Sequence, residues 1–281
     1  MQKTSEKEFV KYCVSSWQTS NKTIGFVPTM GALHKGHLEL VRRARRECDF
    51  VVVSIFVNPL QFNNSSDLQK YPRDLKADQH LLENENVDLI YAPSSTHFYH
   101  DEPVIQIEFG QLSKVLEGEM RPGHFSGVAI VVARLFQIVK PTKAYFGSKD
   151  LQQVAVIQKL ILDLGFDLEL VRCPTMREES GLALSSRNKR LSETGKAVAS
   201  HVYKGLQIGL EATAHLTFEE SKLLVVNYLI GFPEIKTEYL EWVDAHTFEI
   251  LAEKSKYTKP ALCIAAWVEG VRLIDNLILE D

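Results

Sequence analysis

The stretch from Pro28 to His37, PTMGALHKGH, constrains the fold of this chain more than any other feature. The apolar run before it, Thr23 to Val27, is typical of a buried parallel strand. Behind it, Leu38 to Glu47 repeats apolar residues at the spacing of a helix with one buried face. The turn therefore brings His34 and His37 to the carboxyl end of a sheet, where a helix start favours an anion. The pattern predicts a nucleotide phosphate site.

Two histidines at the start of a helix also have a simpler interpretation, in which they only cap or decorate the helix. Gly31 and Gly36 favour the functional interpretation, because glycine lets backbone approach a ligand where a side chain would collide. The choice between helix capping and a phosphate site depends on further segments of the chain, described below.

Composition points to a globular protein with room for one large or two modest domains: 281 residues, 45% hydrophobic and 24% charged. A net charge of -4 gives no general attraction to nucleic acid or to an anionic membrane. The arginines between positions 42 and 46 are interpreted as a solvated helix face. We therefore expect neither nucleic acid nor a membrane as a partner.

The cysteines and the N-terminus indicate the compartment. Four cysteines are scattered without paired spacing, which predicts neither a zinc site nor a disulfide framework. The charged N-terminus lacks the apolar segment of a secretory signal, and no apolar run is long enough to cross a bilayer. We expect a reducing, cytoplasmic location.

Strand-like runs alternate with helical patterns through the first two thirds of the chain, the rhythm of a parallel sheet. The predicted strands after the first are 50–57, 87–92, 104–107, 144–146 and 168–172, and the predicted helices are 75–84, 126–138 and 151–164. The sequence thus predicts an α/β fold whose residues 1–175 form a Rossmann-like parallel-sheet nucleotide-binding domain.

The pattern changes beyond Pro174. A helix is predicted at 193–208, Thr217 to Glu220 carries a capping-box signal for another, and strands are predicted at 239–244 and 261–268. Residues 176–281 are therefore expected to form a smaller α+β C-terminal domain.

Four further segments carry polar groups after predicted strands or in loops that could face the same edge. They are NPLQF at 58–62, RPGHF at 121–125, FGSKD at 146–150 and SGLALSSRN at 180–188. Each segment alone also has a purely structural explanation: in the same order, a strand-exit turn, a helix-entry turn, an aspartate that starts a helix, and serines that cap a helix. Their coincidence favours a shared function.

The side chains in these segments suit small anionic ligands. Asn58 and Gln61 offer amides to a polar substrate, and Arg121 and His124 suit a carboxylate or phosphate. Gly147 opens access to backbone, Lys149 supplies a positive charge, and Asp150 suits a metal-bound water or a ribose hydroxyl. Finally, the group Ser185, Ser186 and Arg187 is suited to gripping phosphate oxygens once nucleotide is bound.

The HxGH element at His34 to His37 and the Ser-Ser-Arg-Asn loop are similar to the nucleotidyltransferase superfamily shared with class I aminoacyl-tRNA synthetases, whose KMSKS segment corresponds to the loop. Within it, an ordered series of motifs from near residue 22 to near residue 276 resembles the pantothenate synthetase (pantoate-beta-alanine ligase) family. The motifs are PTMGALHKGH, SIFVNPLQF, YPRD, LEGEMRPGHFSGV, FGSKDLQQ, GLALSSRN and RLIDN.

The resemblance implies a two-step reaction. ATP and (R)-pantoate give an enzyme-bound pantoyl adenylate and diphosphate, and beta-alanine then displaces AMP to form pantothenate. Since a carboxylate attacks the α-phosphorus, the main need is to neutralise charge on phosphate oxygens, with Mg2+ bridging the β- and γ-phosphates. A homodimer is also expected from the family.

The resemblance further implies roles for individual residues. His37 is implied as the proton donor, Gln61 and Gln153 as pantoate ligands, and Gln61 as a neighbour of beta-alanine. The residues implied in charge neutralisation are His34, His37, Lys149, Ser185, Ser186 and Arg187. The implied ATP site comprises Met30, Gly31, Ala32, Leu33, His34, Lys35, Gly36, His37, Gly147, Ser148, Lys149, Asp150, Met176, Leu184, Ser185, Ser186 and Arg187. Further substrate-site candidates are Asn58, Arg121 and His124. Arg121 and His124 belong, with Tyr71 and Asp78, to the weaker candidates around the substrate and metal region.

Two positions depart from the family pattern. Ser148 stands where the family usually has glutamate, and Ser180 stands where an aspartate often precedes the loop glycine. Each removes a negative charge near ATP or its loop, which Glu178 or Glu179 could replace in part.

Two rival functions remain at this point: another HxGH-type nucleotidyltransferase acting on a different small substrate, and a tRNA-binding or regulatory remnant of a synthetase. Segments 58–62 and 121–125 argue against a generic transferase, and the lack of a domain-wide basic surface argues against tRNA binding.

Overall fold

The computed structural model describes residues 1–63, 65–255 and 258–280. It divides into two compact units. The first comprises Met1–Ser148 and Val156–Cys173, and the second comprises Lys149–Ala155 and Pro174–Asp281. The segment Lys149–Ala155 thus belongs with the C-terminal unit, although the sequence analysis grouped it with the first domain.

A parallel sheet forms the centre of the first unit. Within the described residues its strands are β1 (Gln2–Thr4), β2 (Ile24–Thr29), β3 (Phe50–Ile55), β4 (Leu89–Tyr91), β5 (Lys143–Gly147) and β6 (Glu169–Cys173). They lie in the order β1-β4-β3-β2-β5-β6, and every neighbouring pair is parallel. The chain runs outward from β2 to β4 and then returns to β5, so the order reverses between β2 and β5. Ligands of such sheets bind at this switch point, beyond the carboxyl ends of the strands.

Helices join these strands. They are α1 (Lys7–Thr19), α2 (Lys35–Glu47), α3 (Ser65–Lys70), α4 (Leu75–Asn84), α5 (Ser95–Phe98), α6 (Glu117–Met120), α7 (His124–Val139) and α8 (Leu151–Leu164). Short 3-10 helices occupy Pro59–Gln61, Gly110–Ser113 and Ser148–Asp150.

Helix α2 shows how the sequence pattern becomes structure. Leu38, Leu40, Val41 and Ala44 are buried in a cluster that includes residues of β2 and β3. The arginines of α2 form ion pairs with nearby carboxylates: Arg42 with Glu85, Arg43 with Glu47, Arg45 with Asp88 and Arg46 with Glu39. The basic cluster is therefore neutralised within the protein.

An antiparallel sheet packed with helices forms the centre of the second unit. The strands β7 (Lys236–Asp244), β8 (Pro260–Val268) and β9 (Val271–Ile278) lie in that order, and α9 (Glu193–Ala212) and α10 (Phe218–Ile230) follow a 3-10 helix at Ser186–Arg190. Its core contains Leu206, Val225, Trp242 and Ile264. The predicted capping box at the start of α10 is confirmed, because Thr217 Oγ1 accepts from Glu220 N at 3.2 Å.

The predicted fold class is confirmed as a Rossmann-like parallel-sheet unit and a smaller α+β unit. The predicted strand at 104–107 is wrong: these residues form no strand, and Val104 is 94% exposed. Among the described residues, no strand pairs with this apolar run. Conversely, β9 was not predicted, because its apolar residues alternate with Arg272 and the buried Asp275 and Asn276.

No helix among the described residues combines the length and apolar character needed to span a membrane.

Candidate active site

The two histidines of the HxGH element cap helix α2 reciprocally. His34 is the N-cap residue, and its Nδ1 accepts a hydrogen bond from Gly36 N at 3.1 Å. In return, Nδ1 of His37 accepts from His34 N at 3.4 Å, and the two ring centroids lie 4.0 Å apart. Backbone N–H groups only donate, so in each neutral ring the hydrogen resides on Nε2. In each ring, Nδ1 thus faces the backbone at the start of α2, and the Nε2–H on the other side of the ring is a hydrogen-bond donor.

A buried carboxylate holds the turn that carries these histidines. Asp78, on α4, is 2% exposed, and its oxygens accept from Ala32 N at 2.9 Å and Leu33 N at 2.7 Å. Two charge-assisted bonds to neighbouring amides pin the turn to α4. Sequence reasoning placed Asp78 only among weak substrate and metal candidates, and nothing in its local pattern signals this contact.

Gly31 is required at this turn for two reasons. Its φ of +82° lies in the left-handed region, and a Cβ there would come within 2.8 Å of Asp78 Oδ2. The next residue, Ala32, also has a positive φ of +51°. Backbone strain at this point is offset by the two bonds from the Asp78 carboxylate.

Gln61 lies in a network of hydrogen bonds after β3. Its Oε1 accepts from Asn58 Nδ2 at 3.1 Å, and its Nε2 lies 3.0 Å from Met30 Sδ. Asn58 also binds Tyr99 OH at 2.8 Å. The structure thus brings together the predicted residues Met30, Asn58 and Gln61, and adds Tyr99, which sequence reasoning missed.

Arg121 and His124 both contact the backbone of Gln61. The Gln61 carbonyl oxygen accepts from Arg121 Nη2 at 3.1 Å and from His124 Nδ1 at 2.9 Å. Arg121 also lies 3.4 Å from the Glu117 carboxylate. Helix α7 approaches closely here, since a Cβ on Gly127 would lie 2.3 Å from Leu60 O. These contacts position the Gln61 segment, and contact of Arg121 and His124 with substrate stays a prediction.

A cavity of about 450 Å³ opens beside the Met30–Gly31 turn. It lies at the carboxyl ends of β2, β3 and β4 and falls within the size range of small-molecule sites. Its walls include Ile55 and Phe56 after β3, Ala92 after β4, and Arg73 and Asp74 at the start of α4. The surroundings combine an apolar lining with a few charged groups, as small-molecule pockets do.

The segment after β5 carries the predicted lysine and carboxylate. Gly147 ends β5, Ser148 to Asp150 form a 3-10 helix, and α8 begins at once with Leu151. Lys149 Nζ lies 3.5 Å from Asp150 Oδ1, and a Cβ at Gly147 would meet no atom within 4 Å. Gln153 is half-buried on the first turn of α8.

In the second unit, an arginine braces the loop ahead of the Ser-Ser-Arg-Asn sequence. Arg177 forms a bidentate ion pair with the buried Asp275 of β9, at 2.5 and 2.9 Å, and its guanidinium lies 3.8 Å from the Tyr203 ring centroid. Its Nη1 also donates to Gly181 O at 3.1 Å. Such a fork is among the strongest side-chain pairings. The sequence indicated no role for RLIDN, and the only available signal was a charged residue, Asp275, in an otherwise largely apolar run.

The residues of the loop itself form a short capped helix. Ser185 Oγ accepts from Arg187 N at 3.2 Å, and Asn188 Nδ2 donates to Ala183 O at 3.0 Å. Leu184 N donates to Met176 O at 2.9 Å, which joins both ends of the loop. Ser186 is 7% exposed, and Arg187 is half-buried. Capping by Ser185 is therefore real, as the simpler sequence interpretation expected.

β9 also reaches the lysine segment within this unit. Asn276 Nδ2 donates to Lys149 O at 3.0 Å. The RLIDN motif thus anchors both the 149–155 segment and, through Asp275, the loop braced by Arg177. In the part of the chain that the structure describes, no group of three or more His, Cys, Asp or Glu side chains is arranged to hold a metal ion.

Comparisons with known proteins extend over the whole chain. A sequence model of the family described as pantoate-beta-alanine ligase matches residues 2–278. A pantothenate synthetase of Cytophaga hutchinsonii is 52% identical over 261 residues, which cover 92% of each chain. One of Thermotoga petrophila is 47% identical over 274 residues, 97% of each.

Solved structures agree with these relatives. A crystal structure of pantothenate synthetase from Thermus thermophilus matches with a TM-score of 0.94 and 41% identity, covering 100% of both chains. That of pantoate-beta-alanine ligase from Francisella tularensis, complexed with beta-gamma ATP and beta-alanine, matches with a TM-score of 0.83 and 37% identity. It covers 100% of this chain and 98% of the other.

Proposed function

The chain belongs to the pantoate-beta-alanine ligase family, and we propose that it condenses (R)-pantoate with beta-alanine to pantothenate, consuming ATP and releasing AMP and diphosphate. The chain is a ligase, and ATP is its substrate. A pantoyl adenylate held on the enzyme divides the reaction into an activation step and an amine-transfer step. The observation that carries this proposal is the reciprocally capped His34–His37 pair at the sheet's switch point.

The histidine pair suits the activation step. When the pantoate carboxylate attacks the α-phosphorus, negative charge grows on phosphate oxygens, and donors already in place stabilise it without reorganisation. The two imidazoles present Nε2 hydrogens in fixed orientations because their Nδ1 atoms cap α2. The family resemblance implies His37 as the proton donor, and in the neutral ring seen here we assign its Nε2–H as a hydrogen-bond donor to the phosphate, with His34 as a phosphate ligand beside it. The turn from Met30 to Gly36 supplies the backbone of this ATP-binding element.

We assign the remaining predicted residues by unit. In the first unit, Gln61 binds pantoate and adjoins beta-alanine, while Gly147 and Ser148 adjoin ATP. In the second unit, Gln153 binds pantoate, and Lys149 contributes a positive charge to a phosphate. The loop residues assigned to ATP in that unit are Met176, Leu184, Ser185, Ser186 and Arg187. In domain terms, residues 1–175 would bind ATP and pantoate, and residues 176–281 would carry a mobile KMSKS-like loop.

The residues after β5 fit Mg2+ through one carboxylate, with the phosphates of the substrate as further ligands. Magnesium retains waters and commonly binds through one or two carboxylates plus substrate phosphates, so a dedicated cluster of protein ligands is not needed. The Asp150 side chain, 49% exposed beside Lys149, supplies one such carboxylate. When bound, the ion would neutralise charge on the β- and γ-phosphates. Lys149 and Asp150 then orient the phosphate and the ion, respectively.

Two further expectations belong to the proposal. The four cysteines are buried and are not joined in disulfides, which supports a reducing cytoplasm as the location. The family resemblance supports a homodimer.

The decisive experiment is exchange of labelled diphosphate into ATP, with and without pantoate, followed by addition of beta-alanine. We expect exchange only with pantoate, and stoichiometric AMP and pantothenate after beta-alanine. Exchange without the amine-transfer step would indicate a different nucleotidyltransferase, and no exchange would indicate a non-catalytic protein. The transferase alternative is not favoured, because the family match covers the chain from residue 2 to residue 278.

A further inference from the structure

Asn58 uses its whole hydrogen-bonding capacity inside the protein. It is 1% exposed, and its Oδ1 accepts from Leu60 N at 3.2 Å and from Tyr99 OH at 2.8 Å. Its Nδ2 donates to Gly127 O at 3.0 Å and to Gln61 Oε1 at 3.1 Å. A side-chain amide has two acceptor and two donor positions, so none is left for a substrate.

Backbone groups determine which way this amide faces. The N–H of Leu60 can only donate and the C=O of Gly127 can only accept, so rotating the Asn58 amide by half a turn would place like against like. The second Nδ2 hydrogen then faces the Gln61 side chain, which must accept it with Oε1. Nε2 of Gln61 consequently points the other way, toward Met30.

Tyr99 reinforces this arrangement from the far side of Asn58. Its ring is 7% exposed and packs against Phe98 and Phe56, with centroids 4.8 and 5.8 Å away. The Arg134 guanidinium lies 5.7 Å from the Tyr99 ring centroid. Burial raises the pKa of the Tyr99 hydroxyl, so it keeps its proton as a donor.

We propose that Asn58 and Tyr99 are positioning residues that hold the NH2 group of Gln61 toward pantoate, so that the site selects an oxygen acceptor on the acid. This inference rests on the proposed function, in which Gln61 binds pantoate. A rotated Gln61 amide would turn its oxygen toward an anionic substrate and repel it. The buried pair therefore acts on substrate specificity through Gln61, without touching the substrate.

The test uses Tyr99→Phe, which removes one hydroxyl and keeps the ring. We expect the KM for pantoate in diphosphate exchange to rise about tenfold, because Asn58 loses the hydrogen bond from Tyr99 OH that helps to hold its amide, and through it Gln61, in place. The kcat and the KM for ATP should change less than about twofold. The matched control is Tyr91→Phe: Tyr91 is 1% exposed and its ring also contacts Phe98, 6.4 Å between centroids. Within the described residues its hydroxyl has no hydrogen bond to Asn58, so all three constants should stay unchanged.

A double-mutant cycle separates positioning from a general structural effect. In a Gln61→Ala background, Tyr99→Phe should cause no further loss in pantoate binding, measured by calorimetry as well as by exchange, since the two residues act as one unit. The inference would be overturned if Tyr99→Phe weakened pantoate binding as much in the Gln61→Ala background as in wild type. An unchanged KM for pantoate in the Tyr99→Phe enzyme would overturn it as well. Failure of the proposed function would look different, because wild-type protein would then show no pantoate-dependent exchange.

Discussion

At the scale of single residues, the structure bears on the two interpretations of the HxGH histidines. Helix capping and phosphate binding looked like competing explanations for His34 and His37. The structure shows that capping occupies Nδ1 of each ring, which assigns the ring hydrogen to Nε2. One set of hydrogen bonds can therefore serve both purposes, because the two nitrogens of imidazole are chemically distinct.

Substitutions at His37 can separate the two purposes. Glutamine at the third helical position can still bond back to the N-cap amide, whereas alanine cannot. We expect both His37→Gln and His37→Ala to slow single-turnover adenylate formation by about two to four orders of magnitude, as for loss of acid or electrostatic catalysis. Thermal unfolding should be closer to wild type for His37→Gln. Near-normal adenylation in either variant would reject the assignment of His37.

At the scale of elements, single carboxylates organise turns in both units. Asp78 holds the turn between β2 and α2 through two backbone amides. Asp244, at the end of β7, does the same for the turn that follows: Oδ1 accepts from His246 N at 2.9 Å and Thr247 N at 2.8 Å, and Oδ2 accepts from Lys259 N at 2.8 Å. Each carboxylate replaces water as the partner of amides that no strand or helix satisfies.

Asp244 gives a pH-dependent prediction. Burial alone would raise its pKa, but hydrogen bonds from the amides of Lys259, Thr247 and His246 outweigh burial and lower it. A lowered folded-state pKa contributes stability above the unfolded value of about 3.9, and this contribution is lost as the pH falls through the folded-state value. In urea unfolding at pH 7, followed by tryptophan fluorescence, Asp244→Asn should lose about 1–3 kcal/mol.

The slope of stability against pH checks the cause. Below about pH 4 the Asp244→Asn protein should lose stability less steeply than wild type, because it no longer has this carboxylate to protonate. The exposed Asp101, with 92% of its side chain accessible, provides the control. Asp101→Asn should change stability by less than about 0.5 kcal/mol. Equal slopes for wild type and Asp244→Asn would contradict the argument.

At the scale of the whole molecule, each unit has its own sheet and apolar core, and the cysteines are distributed over both. Cys13, Cys48 and Cys173 lie in the first unit and Cys263 in the second, all at most 8% exposed. Burial raises the pKa of the first three thiols. Because the thiolate is the reactive form, burial and a raised pKa both slow modification.

Thiol labelling should therefore report opening of each unit. We expect a maleimide to label all four cysteines in denaturant but only slowly in native protein, with sites assigned by mass spectrometry of peptides. Reductant should change neither the intact mass nor the labelling pattern, since the four cysteines are not joined in disulfides. Rapid labelling of any one cysteine in native protein would show that its burial is incomplete in solution.

Features that depend on neighbours along the chain could be predicted from the sequence. The PTMGALHKGH turn, the helix over 151–164 and the capping box at Thr217 each follow from local spacing, because strands, helices and caps are formed by nearby backbone groups. The motif series likewise indicated the family.

The distant side chains that stabilise those elements could be identified only in the folded protein. Asp78 on the 31–33 turn, Tyr99 on Asn58 and Asp275 on Arg177 join residues 41 to 98 positions apart. The strand predicted at 104–107 did not form, and β9 formed where no strand was predicted. The physical reason is the same in each case: a hydrogen-bond partner or a neighbouring strand is supplied by folding, and the local sequence does not record which one it will be.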